Sequence, residues 1–319
     1  MYMKALLTGG LAAVFVLTGC QSQDAPEPPA EPHAVEAELA PEVEPESGPE
    51  PEAVAVELTP TQRLQAVLAA QPEEVRARYP YRNPAETLSF FGIEPGMTVV
   101  EMLPGGGWYS RILSGYLGPD GTLIGANYPQ TIWSLFGFMS EERIAAMATW
   151  AIDWPGQAFA WGVVDGAHYR AFVLGALPDE LAGTADAVVM IRAMHNLARF
   201  DAEHGFMQPA LADVHAVLKP GGIAGVVQHE ARPEMPDDWS AGENGYIKRD
   251  FVVAQFEAAG FELVDESDIN ANPFDQPTVE DSVWRLPPNL RGADDEDTRK
   301  ALQAIGESNR MTLKFRKPE

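Results

Sequence analysis

The chain has 319 residues and a formal net charge of −25 at pH 7, from 47 acidic residues against 22 Lys and Arg. That excess of negative charge repels a phosphate backbone and argues against nucleic acid as a partner. One cysteine, Cys20, leaves neither an internal disulfide nor a cysteine-rich metal site, so an ordinary apolar core must hold the fold.

At the N-terminus Lys4 precedes an apolar run, Ala5 to Leu17, which ends in Leu17-Thr18-Gly19-Cys20. The run is too short for a membrane span, and small residues sit directly before the cysteine. This predicts a bacterial lipoprotein signal peptide over 1–20, with Cys20 as the lipidation site. Gln21 in place of Asp resembles the outer-membrane sorting pattern, which implies a lipid anchor in the bacterial cell envelope, on the periplasmic face of the outer membrane. Residues 21–57 carry eight prolines, eleven acids and no Lys or Arg. They cannot bury enough apolar surface to offset chain entropy, which predicts a disordered tether. Residues 58–319 then suffice for one large domain.

Apolar residues at helical spacing (Leu64, Val67, Leu68, Val75) predict a leading helix over 61–79 that lies across the top of the domain. A second helix is expected over 84–91, stopped by Gly92. Met97 to Leu103 reads as a strand, Pro104 to Gly107 as a turn and Trp108 to Leu117 as a helix. Further strands are expected at 122–126, 158–164, 186–191, 223–228, 261–265 and 311–315, with helices at 141–150, 207–218 and 249–259. Strands alternating with helices predict an α/β domain with a doubly wound, mostly parallel seven-stranded sheet and helices on both faces. Such a sheet binds ligands at the carboxyl ends of its strands.

Val99-Val100-Glu101-Met102-Leu103-Pro104-Gly105-Gly106-Gly107 resembles the first motif of the class I S-adenosylmethionine (SAM) dependent methyltransferases: hydrophobic strand, acidic residue, glycine turn. Asn127 ends the second strand, Asp165-Gly166 resembles the adenine-side motif, and Asp186 to Asn196 and Leu218 to Gly222 resemble the fourth strand and the prelude to the fifth. A narrower resemblance, to uncharacterised exported methyltransferase-like proteins of bacteria, rests on Arg82-Asn83-Pro84, Asn272-Pro273-Phe274-Asp275 and Lys314 to Lys317. The resemblance implies a Rossmann-like methyltransferase fold, SAM as cofactor and a small-molecule acceptor. It implies cofactor contacts at Glu101, Gly105, Gly106, Gly107, Asn127 and Asp165. Two positions depart from the family pattern: Leu103 replaces the usual first glycine and is expected to keep a negative φ, and neutral Asn127 replaces the usual acid.

Methyl transfer from a sulfonium depends chiefly on positioning, with a base needed only for a protonated nucleophile. Expected at the carboxyl ends of the fourth and fifth strands, His195 and His229 are the candidate general bases; Glu230 and Tyr109 are weaker ones. Hydrogen-bonded scaffold is the other use of such histidines. The spacings of His195, His204, His215 and His229 match no compact metal motif, so no metal site is expected. Two other readings stand beside the methyltransferase. A non-catalytic binding or scaffold lipoprotein of the same fold is favoured by export away from cytoplasmic SAM and by the altered positions. A nicotinamide-dependent oxidoreductase fares worse, because Ser110 takes the place of the third glycine of its fingerprint.

Overall fold

The computed structural model describes residues 58–319; the expected signal peptide over 1–20, Cys20 and the tether over 21–57 lie outside the described residues. The strands are β1 (Thr98–Met102), β2 (Thr122–Asn127), β3 (His168–Val173), β4 (Ala185–Ile191), β5 (Leu218–His229), β6 (Glu262–Ser267) and β7 (Arg310–Arg316). They form one sheet in the order β3-β2-β1-β4-β5-β7-β6. β1 to β5 pair in parallel, while β7 runs antiparallel to both β5 and β6. The fold class expected from the sequence is therefore the one observed.

Alternating side chains on the central strands feed two cores. Val99, Leu123, Ala187 and Val189 pack on one face with α1 (Pro60–Ala69), α2 (Pro84–Phe91), α3 (Trp108–Leu117) and α4 (Trp150–Phe159). On the other face Val100, Ile124, Val188, Met190, Val226 and Phe315 pack with α5 (Met194–His204), α6 (Met207–Val217) and α7 (Arg249–Ala258). Burial of each large apolar side chain contributes roughly 1.5–3 kcal/mol, so these runs fix which strands are central.

Several expectations need correction. The leading helix ends at Ala69, and Glu73–Arg76 and Tyr79–Arg82 form separate short turns. A capping box between Thr59 and Gln62 starts α1, which packs on α3 through Val67 against Gly115. The third strand is His168–Val173, not 158–164. Trp150, Trp154 and Ala158 recur at helical spacing, and Trp154 packs so close over β2 that a Cβ on Gly125 would lie 3.0 Å from its ring. That packing makes 150–159 a helix, and β3 is a half-exposed edge strand with a weak apolar signal. α5 and a last helix, α8 (Glu296–Ile305), carry no counterpart in the sequence reading.

The chain leaves β1 toward β2 on one side and returns to β4 on the other. Loops after these two strands diverge, which opens a crevice at their carboxyl ends.

Candidate functional site

A cavity of about 840 Å³ occupies that crevice. Leu103 and Gly105 follow β1, Asn127 and Tyr128 end β2, and His195 and Asn196 open α5; all six line it. Trp133, Phe136, Met147 and Trp150 from the segment after β2, and Trp284 and Asn289 from the segment after β6, complete much of the wall. The wall is mixed: aromatic and apolar side chains alternate with polar and charged ones, among them Arg143, Arg199, Glu243 and Arg291.

The glycine turn divides its labour. Gly105 (φ 56°) lines the cavity, and an added Cβ would meet nothing closer than the Leu103 carbonyl at 3.9 Å. Gly106 is exposed, with open space where its Cβ would be. Gly107 does not line the cavity: it is the N-cap of α3 at φ 77°, and its missing Cβ makes room for the Trp161 ring, 2.5 Å from where that atom would sit. Close approach here serves packing rather than a ligand. Leu103 departs from the negative φ expected of it and holds φ 53°, the left-handed region that favours glycine. Its side chain lines the cavity without closing it.

Glu101 is buried (4% exposed) and does not line the cavity. Its carboxylate accepts a 2.5 Å hydrogen bond from Ser110 on α3. Burial pushes its pKa up to about 8, so the group is mostly neutral near pH 7. The cofactor contact implied for Glu101 is therefore not what this geometry provides; the carboxyl ties β1 to α3 beneath the turn. Asn127 sits where the sequence placed it. Its Oδ1 accepts from the Tyr128 N–H at 2.9 Å, and its amide nitrogen faces only the Met147 sulfur at 4.0 Å. A donor at the cavity wall is left for a ligand. Asp165 lies in the loop before β3, at the opposite end of that strand, and lines a separate groove with Phe159 and Tyr169. The misplaced third strand accounts for this error, and Asp165 is removed from the site.

His195 lies in the first turn of α5 rather than on the strand end, and His229 is the last residue of β5. Their rings are 5.7 Å apart, and both are buried. Burial lowers the pKa of His195 to about 4 and that of His229 well below its ordinary value. Both rings are neutral at pH 7. Gln228 accepts the Met194 N–H on its Oε1, so its amide nitrogen is turned to His195 Nδ1 at 3.4 Å. That arrangement makes Nδ1 an acceptor and leaves the ring proton on Nε2. His195 is then a hydrogen-bond donor at Nε2 and a poor base. His229 Nδ1 is 2.6 Å from the Ser308 hydroxyl. The weaker candidates are structural: Glu230 pairs with Arg249 at 2.9 Å, and the Tyr109 hydroxyl donates to the Arg82 carbonyl at 3.1 Å. Among the described residues no cluster of three metal-ligating side chains exists, and no helix is long and apolar enough to cross a membrane.

Sequence reasoning missed a cluster of arginines beside the cavity, Arg78, Arg82, Arg192 and Arg310, around Glu307. Its scaffold uses motifs that were visible. Asn272 donates to the Glu307 carbonyl at 2.6 Å, and Asp275 accepts from Tyr246 and from the Asn309 N–H. Only Arg82 carried a signal, in Arg82-Asn83-Pro84.

No family model and no curated protein matches the chain. Among solved structures, a SAM-dependent methyltransferase from Aquifex aeolicus matches at 15% identity over 82% of this chain and 100% of its own, with TM-score 0.46. The geranyl diphosphate C-methyltransferase from Streptomyces coelicolor, solved with S-adenosyl-L-homocysteine (SAH), matches at 13% identity over 79% of this chain and 84% of its own, with TM-score 0.47. At these scores the likenesses carry no argument, and the strand order of the sheet itself establishes a seven-stranded, Rossmann-like α/β fold.

Proposed function

We propose that the protein is a SAM-dependent methyltransferase acting on a small-molecule acceptor, held by a lipid on Cys20 at the periplasmic face of a bacterial outer membrane. The observation that carries the reading is the cavity at the switch point of the sheet. There Gly105 of the turn after β1 and an amide donor ending β2 face one space large enough for a nucleoside and an acceptor. Gly105 allows close backbone approach, and Asn127 Nδ2 suits a ribose hydroxyl. When bound, SAM supplies an electrophilic methyl group on a sulfonium.

The chain's own residues do the positioning. The ring of Trp284 lies 6.3 Å from that of His195, and both line the acceptor's share of the cavity. Gln228 keeps the proton on His195 Nε2, so this histidine orients an acceptor by donating to it. A nucleophile with a lone pair already free needs nothing more. The methyltransferase reading is tested by thermal shift with SAH and, in parallel, NADH. A rise in melting temperature with SAH alone supports it; stabilisation by NADH alone rejects it in favour of an oxidoreductase.

A further inference from the structure

A smaller cavity of about 270 Å³ adjoins the large one, with Trp284 and Asn289 shared between their walls. Arg78, Arg82, Arg192, His229, Glu307 and Ser308 line it. Glu307 (5% exposed) pairs with Arg78 at 2.5 Å, Arg82 at 3.4 Å and Arg310 at 3.3 Å. Arg82 also stacks on Trp108, its guanidinium carbon 4.4 Å from the ring centroid. Arg192 has no ion-pair partner among the described residues, and its Nε is shut off from solvent and bonded to nothing. Three guanidinium groups thus meet one carboxylate and a fourth, that of Arg192, stands beside them unpaired, with Arg82 and Arg310 buried and Arg78 and Arg192 partly exposed, within a chain of net charge −25. Uncompensated buried cations are destabilising, and the guanidinium fork is matched to oxyanions.

We propose that this arginine pocket binds a phosphate-sized oxyanion carried by the acceptor, with Arg192 and Arg82 as its principal ligands. As acceptor recognition this rests on the methyltransferase reading; as an anion site it stands on the pocket alone. Trp284, on both walls, with His229 on the smaller cavity and His195 on the larger, places the anionic head on one side and the reacting end on the other. Burial holds Arg82 down to about 9 and Arg192 to about 10, and an oxyanion among them relieves that strain.

The test is calorimetric titration of the full chain with inorganic phosphate in a chloride buffer, for wild type and Arg192→Met, with melting curves of both and an SAH titration alongside. Phosphate is expected to bind wild type and stabilise it, and Arg192→Met to weaken that binding about tenfold or more. Without phosphate the variant is expected to melt higher than wild type, since an unbalanced buried charge is gone. No phosphate binding by wild type, or equal binding by both proteins, overturns the proposal; so does a variant that melts lower without phosphate, the mark of a structural arginine. Because Arg192 does not line the large cavity, SAH titrates independently. Phosphate failing while SAH binds sinks the anion pocket alone, and the reverse sinks the methyltransferase reading alone.

Discussion

Leu103 and Arg192 each stand directly after one of two neighbouring parallel strands, β1 and β4, and both hold left-handed backbone, at φ 53° and φ 58°. Each is fixed there by a ladder bond to the strand on its outer side, Leu103 N–H to the Ala126 carbonyl at 2.7 Å and Arg192 N–H to the Val227 carbonyl at 2.6 Å. Backbone strain of this kind costs about 1–3 kcal/mol per residue and persists where surrounding structure enforces it, typically at functional sites. Here the two strained residues line the two adjoining cavities, one each.

Leu103→Val places a β-branched residue at that φ and is expected to destabilise the fold by roughly 2 kcal/mol. Leu103→Gly removes more side chain but relieves the backbone, so it is expected to be the milder change. Urea unfolding of both variants checks the order. A Val variant more stable than the Gly variant would show that Leu103 is unstrained.

The glycines after it differ in the same assay. Gly107→Ala meets both the Trp161 ring and a positive φ, and is expected to cost about 1–3 kcal/mol. Gly106→Ala meets open space and is expected to change stability by less than about 0.5 kcal/mol. Equal effects would contradict the assignment of Gly107 to packing.

Glu101 makes stability depend on pH. Its folded pKa of about 8 lies above the ordinary 4.5, so the stability held by the protonated carboxyl is full below 4.5 and is lost as pH rises toward 8. His195, lowered to about 4, acts the other way: its contribution is full above 6.5 and lost as pH falls toward 4. Comparing wild type with Glu101→Gln isolates the carboxyl. The variant is expected to gain on wild type between those limits by up to roughly 1.4 kcal/mol per pH unit, read from urea unfolding at a series of pH values. Parallel curves would mean that Glu101 is ionised in the folded protein.

The strand-turn-helix unit from β1 to α3 was legible because apolar run, glycine turn and helical period succeed one another without a break, and Asn127 follows by position. β3 was not. An edge strand such as His168–Val173 is half exposed, while the apolar run before it, 158–164, is the last two residues of α4 and the turn that follows, and Asp165 was misplaced with it. His195 was found, but its seat on α5 was not, because His195 and Leu197 are buried among polar neighbours that blur the period. No local pattern could reveal the arginine pocket: Arg78 and Arg82 share one stretch, Arg192 and Arg310 come from two distant ones, and the sheet order brings the three together.

The proposed lipid anchor rests on the Leu17-Thr18-Gly19-Cys20 sequence. Cys20→Ala is expected to abolish incorporation of labelled fatty acid and to release the protein from the membrane fraction of cells. Labelling or membrane retention equal to wild type would remove the lipid anchor from the account.

The central claim is that the crevice between β1 and β4 holds an adenosyl group, and calorimetric titration of the full chain with SAH tests it most directly. The account predicts a one-to-one heat that Asn127→Asp strengthens about tenfold, through a charged acceptor for ribose hydroxyls, and that Gly105→Val removes without unfolding the protein. No heat from wild type at about millimolar SAH would contradict it.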